Sequence, residues 1–223
     1  MARSKSARQD SVVVIGLGRF GGAVAESLVR LGHEVLGIDE DPEIVQRWAE
    51  RLTHVVQADT TQVEVLQRLG VSSFQRAIVA IGTDVEASVL TVLALSDVGV
   101  SDIWAKALEP RHGRILERTG AHHVIYPEAA MGERVAHMMS GKMIDFIQFE
   151  DAFAIAKTGA PREAFGKTLA QAALRTKYGV TVVGVKRAQS DFTHATPETR
   201  IEDGDLIIVS GPTHLVERFA AVT

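Results

Sequence analysis

The stretch from Ser11 to Asp39 restricts the possible folds more than any other part of the chain. Ser11-Val12-Val13-Val14-Ile15 runs directly into Gly16-Leu17-Gly18-Arg19-Phe20-Gly21, and Asp39 follows 18 residues after the last of these glycines. An apolar strand thus feeds a glycine turn. A helix follows, then a second strand at Glu34–Ile38, with an acid at its end. In this arrangement the first glycine lets the chain turn sharply, the second lets backbone approach phosphate, and the third lets helix pack on strand. The helix N-terminus offers unpaired N–H groups and a positive dipole end to an anion. Asp39 is placed to accept hydrogen bonds from ribose hydroxyls. Its carboxylate repels a 2′-phosphate, and Glu40 and Asp41 follow it with no Arg in their place. NADP is therefore disfavoured, while NAD, NADH, ATP, ADP and AMP all remain open.

At 223 residues the chain has room for one large or two small domains, and its 46% hydrophobic content is ample for a core. The net charge of −4 gives no electrostatic case for binding nucleic acid. The chain has no Cys, which excludes disulfides, thiolate nucleophiles and Cys-type zinc sites and agrees with a reducing cytoplasm. Residues 1–10 carry Arg3, Lys5 and Arg8 with no apolar stretch behind them, the pattern of a disordered, solvated tail rather than a signal peptide. No apolar run approaches the ~20 residues that span a bilayer, so any membrane role is expected through a partner.

Short β-rich runs alternate with helical patterns as far as residue 143. The expected strands are Ser11–Ile15, Glu34–Ile38, His54–Gln57, Arg76–Ile81, Asp102–Ala107 and His123–Tyr126. Pro42 suits the first position of a helix over Glu43–Arg51. Thr61 with Glu64, and Thr83 with Glu86, have the spacing of capping boxes. Six strands with crossover helices make an α/β, Rossmann-type doubly wound parallel sheet, assigned to residues 11–144. The helix over Glu128–Met143 places Met131, Val135, Met138, Met139 and Lys142 on one face, suited either to the sheet or to a second subunit. Residues 145–223 form a different pattern, a small α+β domain. Its expected strands are Phe146–Phe149, Phe153–Lys157, Val180–Lys186 and Leu206–Ser210. A short helix is expected over Gly166–Leu174, a turn at Asp203-Gly204-Asp205, and a closing helix over Pro212–Ala221. The two modules are not repeats of one another.

Nothing beside the nucleotide motif carries visible chemistry. A nicotinamide dehydrogenase needs a proton donor or acceptor, and the second module offers only His194 and His214. Neither Tyr126 nor Tyr178 has a Lys four residues later. Gly166-Lys167-Thr168 lacks the upstream glycine of a phosphate loop, that position being Pro161. His122-His123 lies on an expected strand without a third metal ligand, and no Gly-x-Ser-x-Gly elbow occurs. A nucleotide site without catalytic groups favours a sensor over an enzyme, with an NAD-dependent oxidoreductase as the alternative and a plain adenine-nucleotide-binding scaffold as a third reading.

Several segments together resemble the TrkA/KtrA family, the cytoplasmic RCK (KTN) regulatory subunits of potassium transporters. They are Gly16–Gly21 with Arg19-Phe20 inside the loop, Gly37-Ile38-Asp39, Ala58-Asp59-Thr60-Thr61, Ala80-Ile81-Gly82 leading to Glu86-Ala87-Ser88, Trp104–Ala107, His112–Ile115, and Tyr126-Pro127-Glu128 with Met131-Gly132. In the second module the matches are Lys177–Val180 and Ile201–Asp205. The resemblance runs from about Ser11 to Ala221. It implies a cytoplasmic, nucleotide-sensing subunit, peripheral to the inner face of the membrane, that gates an integral-membrane potassium transporter or channel. It also implies a homodimer assembling into a ring, an octamer. Cofactor contacts would come from Gly16, Gly18, Arg19, Phe20, Gly21, Asp39, Glu40, Asp59, Thr60, Gly82 and Lys106. The Asp59-Thr60 segment would meet the adenine edge. Arg19 would reach a terminal phosphate, including one bound by the neighbouring subunit, and Lys106 would add charge near the phosphates. Each has a plainer alternative: Arg19 as a solvated helix-start residue, Asp59 as a helix cap, Lys106 as a strand-end side chain snorkelling to water. Glu128 suits a helix N-terminus in any case. The resemblance makes it a ligand for Mg or Ca beside the phosphates, completed by phosphate oxygens, water or a partner subunit, although the acid common two residues later is Ala130 here. The family's C-terminal module can bind cyclic di-AMP. Arg175 and Tyr178 could contact such a ligand and fit equally well as exposed and packing residues, while His194-Ala195 replaces a common Asn-Pro pair.

Overall fold

The computed structural model describes residues 11–140, 142–149, 152–188 and 190–223; the tail expected over residues 1–10 lies outside the described residues. The chain divides into two compact units, one ending at Glu128 and the other running from Ala129 to Thr223.

In the first unit strands and helices alternate: β1 (Ser11–Ile15), α1 (Arg19–Arg30), β2 (Glu34–Asp39), α2 (Pro42–Trp48), β3 (His54–Gln57), α3 (Val63–Arg68), β4 (Arg76–Val79), α4 (Val85–Asp97), β5 (Asp102–Lys106), α5 (Pro110–Thr119) and β6 (His123–Ile125). All six strands are parallel, in the order β3-β2-β1-β4-β5-β6. This is the doubly wound order, and its direction reverses between β1 and β4, where such sheets open a crevice at their carboxyl ends. The run Val12–Ile15 lacks polar alternation because the sheet is covered on both faces. Val12 and Val14 join Ala25 of α1 and Trp48 of α2, while Val13 and Ile15 join Leu66, Val92, Leu95 and Leu116 of α3, α4 and α5.

Pro42 stands at the start of α2, and Asp41 caps it by accepting from the Glu43 N–H at 2.8 Å. Neither expected capping box forms. At α3 the cap position is Gln62, and Thr61 instead donates to Asp59. At α4 the cap is Asp84, one residue later than expected, accepting from Ala87 N–H at 2.9 Å. A carboxylate is as good a cap as a hydroxyl and complements the helix dipole, so the helix starts there.

Helix α6 (Pro127–Ser140) begins in the first unit and continues into the second. The second unit holds β7 (Met143–Phe149), β8 (Phe153–Gly159), α7 (Leu169–Ala172), α8 (Leu174–Tyr178), β9 (Thr181–Lys186), β10 (Thr193–His194), β11 (Leu206–Pro212) and α9 (Thr213–Ala221). Its five strands form an antiparallel sheet ordered β10-β9-β11-β8-β7. One face buries Phe146, Ala154, Ala156, Ile207 and Val209 against Val216 and Phe219 of α9. The single helix expected over Gly166–Leu174 is two short helices. Thr168 and Gln171 cap α7 reciprocally, and Ala173 at φ +49° separates α7 from α8. Alanine has no local preference for that conformation, and the residue after it, Leu174, is buried. On α6, Lys142 falls beyond the helix end, Met138 packs into the core of the second unit, and Met131, Val135 and Met139 are exposed. No helix among the described residues is long and apolar enough to cross a membrane.

Candidate nucleotide-binding site

The glycine loop lies at the crevice. Gly16 N–H donates to the Ile38 carbonyl at 2.8 Å and Ala80 N–H to the Ile15 carbonyl at 2.7 Å, so the ends of β1, β2 and β4 are stitched together. Gly16 has φ +84°, the left-handed region that favours glycine. At Gly21 a Cβ would lie 1.8 Å from the Gly16 carbonyl oxygen, so only glycine lets α1 approach the turn. At Gly18 a Cβ would meet nothing within 4 Å. Packing therefore does not require a glycine at Gly18, and the space before the α1 N-terminus is open to an anion. Trp48 reinforces the loop from beneath: its indole N–H donates to the Leu17 carbonyl at 2.9 Å. Its ring fills the place where a Cβ on Gly22 would stand, 2.2 Å away.

Asp39 ends β2 beside this loop. One carboxylate oxygen accepts from Leu17 N–H at 2.6 Å and the other from Asp41 N–H at 3.0 Å. These two bonds orient the carboxylate and leave lone pairs for two further donors, the number a ribose diol presents. Glu40 is exposed, and its carbonyl accepts from the Gln57 side chain at 3.0 Å. The Ala58–Thr61 loop follows β3 alongside, with Ala58 N–H bonded to the Asp39 carbonyl at 3.1 Å. The Asp59 carboxylate is engaged within its own loop by Thr61 and Gln62, and the Thr61 hydroxyl is the main reason its carboxyl sits below the ordinary carboxylate range. Thr60 is buried, its hydroxyl 2.9 Å from that of Thr91. Both side chains thus shape the loop, leaving its backbone as the edge that could meet a base.

On the other side of the loop lies a cationic group. Arg19 is exposed at the start of α1. Lys106, at the end of β5, is 8% exposed and its Nζ contacts Glu128 Oε1 at 2.6 Å. The same ammonium lies 5.8 Å from the Phe20 ring centroid and 2.9 Å from where a Cβ on Gly82 would stand. The Lys106 tip thus runs close over Gly82. The Glu128 carboxyl is held below its ordinary range, first by the Lys106 hydrogen bond and next by its own backbone N–H at the helix start; burial opposes this, and the charges of Lys106 and Arg19 add to it. The crevice accordingly has Asp39 at one end and, at the other, Arg19 and Lys106 with Glu128 paired to Lys106, an arrangement that suits a nucleotide with its ribose toward Asp39 and its phosphates toward Gly18 if the phosphates displace Glu128. A divalent cation fits less well with the protein groups alone. Glu128 already holds Lys106, and the described residues contain no cluster of three or more His, Asp or Glu able to hold a metal.

The histidines at the start of β6 make structural contacts. His122 Nδ1 accepts from Ile103 N–H at 3.1 Å, and His123 stacks on Trp104 at 4.1 Å. In the second unit Arg175 is exposed, whereas Tyr178 packs edge-on against Phe219 at 5.2 Å and donates to Glu163 at 2.7 Å. Sequence reasoning passed over Trp48 and Thr91, whose partners lie 31 residues away in both cases; a tryptophan two turns after Asp39 was the available signal for the first.

The TrkA-N domain model matches residues 12–127 and the TrkA-C domain model residues 155–222. The chain is 36% identical over 207 residues to Ktr system potassium uptake protein A of Bacillus subtilis, covering 92% of this chain and 93% of that one. Among solved structures it resembles the GsuK channel bound to NAD, with a TM-score of 0.65, 18% identity and 97% of this chain covered. It also resembles GsuK bound to ADP, with a TM-score of 0.52, 19% identity and 60% covered. The chain spans 40% and 35% of those two longer chains. With both domain models matched in order, and a relative aligned almost end to end, the chain belongs to the TrkA-N/TrkA-C family.

Proposed function

We propose that this chain is a non-catalytic, nucleotide-sensing regulatory subunit of a membrane potassium transport protein. The observation that carries the reading is the polarity of the crevice, with Asp39 at the ribose end and Arg19 and Lys106 at the phosphate end. The potassium-uptake relative supports the transport role over the NAD-dependent oxidoreductase. ATP and ADP suit the crevice because their phosphate tails differ in the charge offered to the two cations. NAD or NADH is the second ligand reading, favoured by the NAD-bound GsuK neighbour.

In this reading a terminal phosphate competes with Glu128 for Lys106. Glu128, at the start of α6, would then be the one protein carboxylate beside the phosphates, and Mg or Ca there would need phosphate oxygens and water to complete its shell. Ligands that differ in this exchange favour different conformations of a homodimer, and only such differential affinity shifts the equilibrium. The exposed Met131, Val135 and Met139 on α6 support self-association. We place the dimers in a ring, an octamer, on the cytoplasmic face of the membrane and attached through the transporter, with cyclic di-AMP as a further ligand of the second unit near Arg175.

The test is calorimetry of ATP, ADP, AMP and NADH on wild type, Asp39→Ala and Arg19→Ala. Asp39→Ala is expected to weaken all four by about 1.5–3 kcal/mol, the worth of hydrogen bonds to a charged group. Arg19→Ala is expected to erase the ATP-over-ADP preference while sparing AMP. Unchanged affinity in Asp39→Ala, or sustained NADH oxidation coupled to reduction of a carbonyl compound, would overturn the reading.

A further inference from the structure

The Ala58–Thr61 loop is fastened from two directions. Toward the sheet, Ala58 N–H is bonded to the carbonyl of Asp39, the residue at the ribose end of the crevice. Within the loop, the Asp59 carboxylate draws in Thr61 and Gln62. Neither set of bonds fixes how the loop stands against α4. Ala58 packs against the core that includes Val92 and Leu95 of α4, and a directional link is added by Thr60, 5% exposed, whose hydroxyl lies 2.9 Å from that of Thr91 in the middle of α4. Thr91 is wholly buried, and so is Ser88 one turn earlier, whose hydroxyl has no hydrogen-bond partner among the described residues. Packing alone would be served by valine at Thr60 and Thr91, which fills nearly the same volume without a polar atom to desolvate. A buried hydroxyl pair that ties the loop to α4 therefore asks for a reason other than packing.

Topology supplies one. In the order β3-β2-β1-β4, the glycine turn and its phosphate space follow β1, Asp39 ends β2, and the Ala58–Thr61 loop follows β3. A nucleotide with phosphates at Gly18 and ribose at Asp39 has only the β3 side left for its base. Adenine and guanine differ there by exchange of a donor for an acceptor at position 6, a difference that a backbone edge reads only if it is held to within a few tenths of an ångström.

We propose that Thr91, acting through Thr60, is the positioning residue for base selection: the hydroxyl pair holds the Ala58–Thr61 loop at the height where its backbone accepts adenine and rejects guanine. This rests on the adenine-nucleotide reading given above. The test is calorimetry of ADP and GDP on the full chain and on Thr91→Val, Thr91→Ser and Thr60→Val, with thermal unfolding of each. Thr91→Val is expected to weaken ADP about fivefold or more with GDP changed less than twofold, so that the base preference collapses. Thr91→Ser, which keeps the hydroxyl, restores it, and Thr60→Val repeats the loss from the loop side if Thr91→Val does not fold. A merely structural role would lower the melting temperature and weaken both ligands together, and that result overturns the proposal. So does a valine variant that keeps its ADP preference while wild type binds ADP. Absence of any ADP binding by wild type overturns the adenine reading and this proposal together.

Discussion

The two units cover their sheets differently. In the first, both faces of the parallel sheet are buried, one under α1 and α2 and the other under α3, α4 and α5. The strand ends are then the open places for a ligand, and Asp39, Lys106 and the glycine turn all occur there. In the second, one face of the antiparallel sheet packs on α9. The register sets Ile147 beside Ile155 and Lys157 beside Ile208 on the opposite face, where none of these side chains is fully buried. A sheet closed on both faces offers ligand recognition at its rim. A sheet with one uncovered, partly apolar face offers surface for contact. Under the proposed function, the first unit would carry the nucleotide and the second the contacts between subunits.

The largest expected effects fall on the glycine turn and separate fold from binding within the first unit. Gly21→Val places a side chain against the Gly16 carbonyl and is expected to abolish both folding of the first unit and nucleotide binding. Gly18→Ala meets open space and is compatible with the observed φ of −63°. It is expected to leave the melting temperature nearly unchanged while nucleotide affinity falls tenfold or more. Circular dichroism with calorimetry distinguishes these results. A Gly18→Ala protein that binds normally would remove the phosphate space from the model of the site.

Next in size, Phe219→Ala empties a wholly buried position in the core of the second unit and is expected to cost about 3–5 kcal/mol there. If the units divide their roles as argued, ADP still binds the variant while self-association measured by light scattering is lost. Loss of both together would show that the division is false.

The smallest effect is a pH dependence of the first unit. His112 is buried, its Nδ1 accepting from Leu108 N–H at 3.3 Å, and burial holds its pKa below the ordinary 6.5, with Glu109 opposing weakly. The unfolded chain therefore takes up the proton first. The stabilisation is fully present above pH 6.5 and is lost progressively as the pH falls below it toward the folded value. In the second unit the shifted carboxyl of Asp145 lies below 3.8, held by Arg134, so its acid response begins at much lower pH. Denaturant melts at pH 7.5 and 5.5 are expected to show weakening of the first unit, with the slope flattened in His112→Gln. An equal slope in the variant would sever the link to this residue.

Much of the first unit was legible in the chain because its signals are local. The six strands, Pro42 at the start of α2, and the spacing of Gly16, Gly18, Gly21 and Asp39 follow from turn sterics and from strands buried on both faces. Local rules failed where a competing group stood nearby. Asp84 took the cap that Thr83 was expected to fill, and Ala173, next to the buried Leu174, adopted a conformation that its own propensity disfavours.

The sequence by itself determined that β1 ends in a glycine turn and that an acid ends β2, since both depend on neighbours in the chain and on hard-sphere limits of the backbone. Only the tertiary structure decided that Lys106 reaches Glu128 past Gly82, that Trp48 supports the glycine loop, and that Thr91 meets Thr60. Those partners lie 22 to 31 residues apart for Lys106, Trp48 and Thr91. Their contacts exist because sheet order and helix packing bring distant segments to one rim, and no periodicity along the chain encodes that distance.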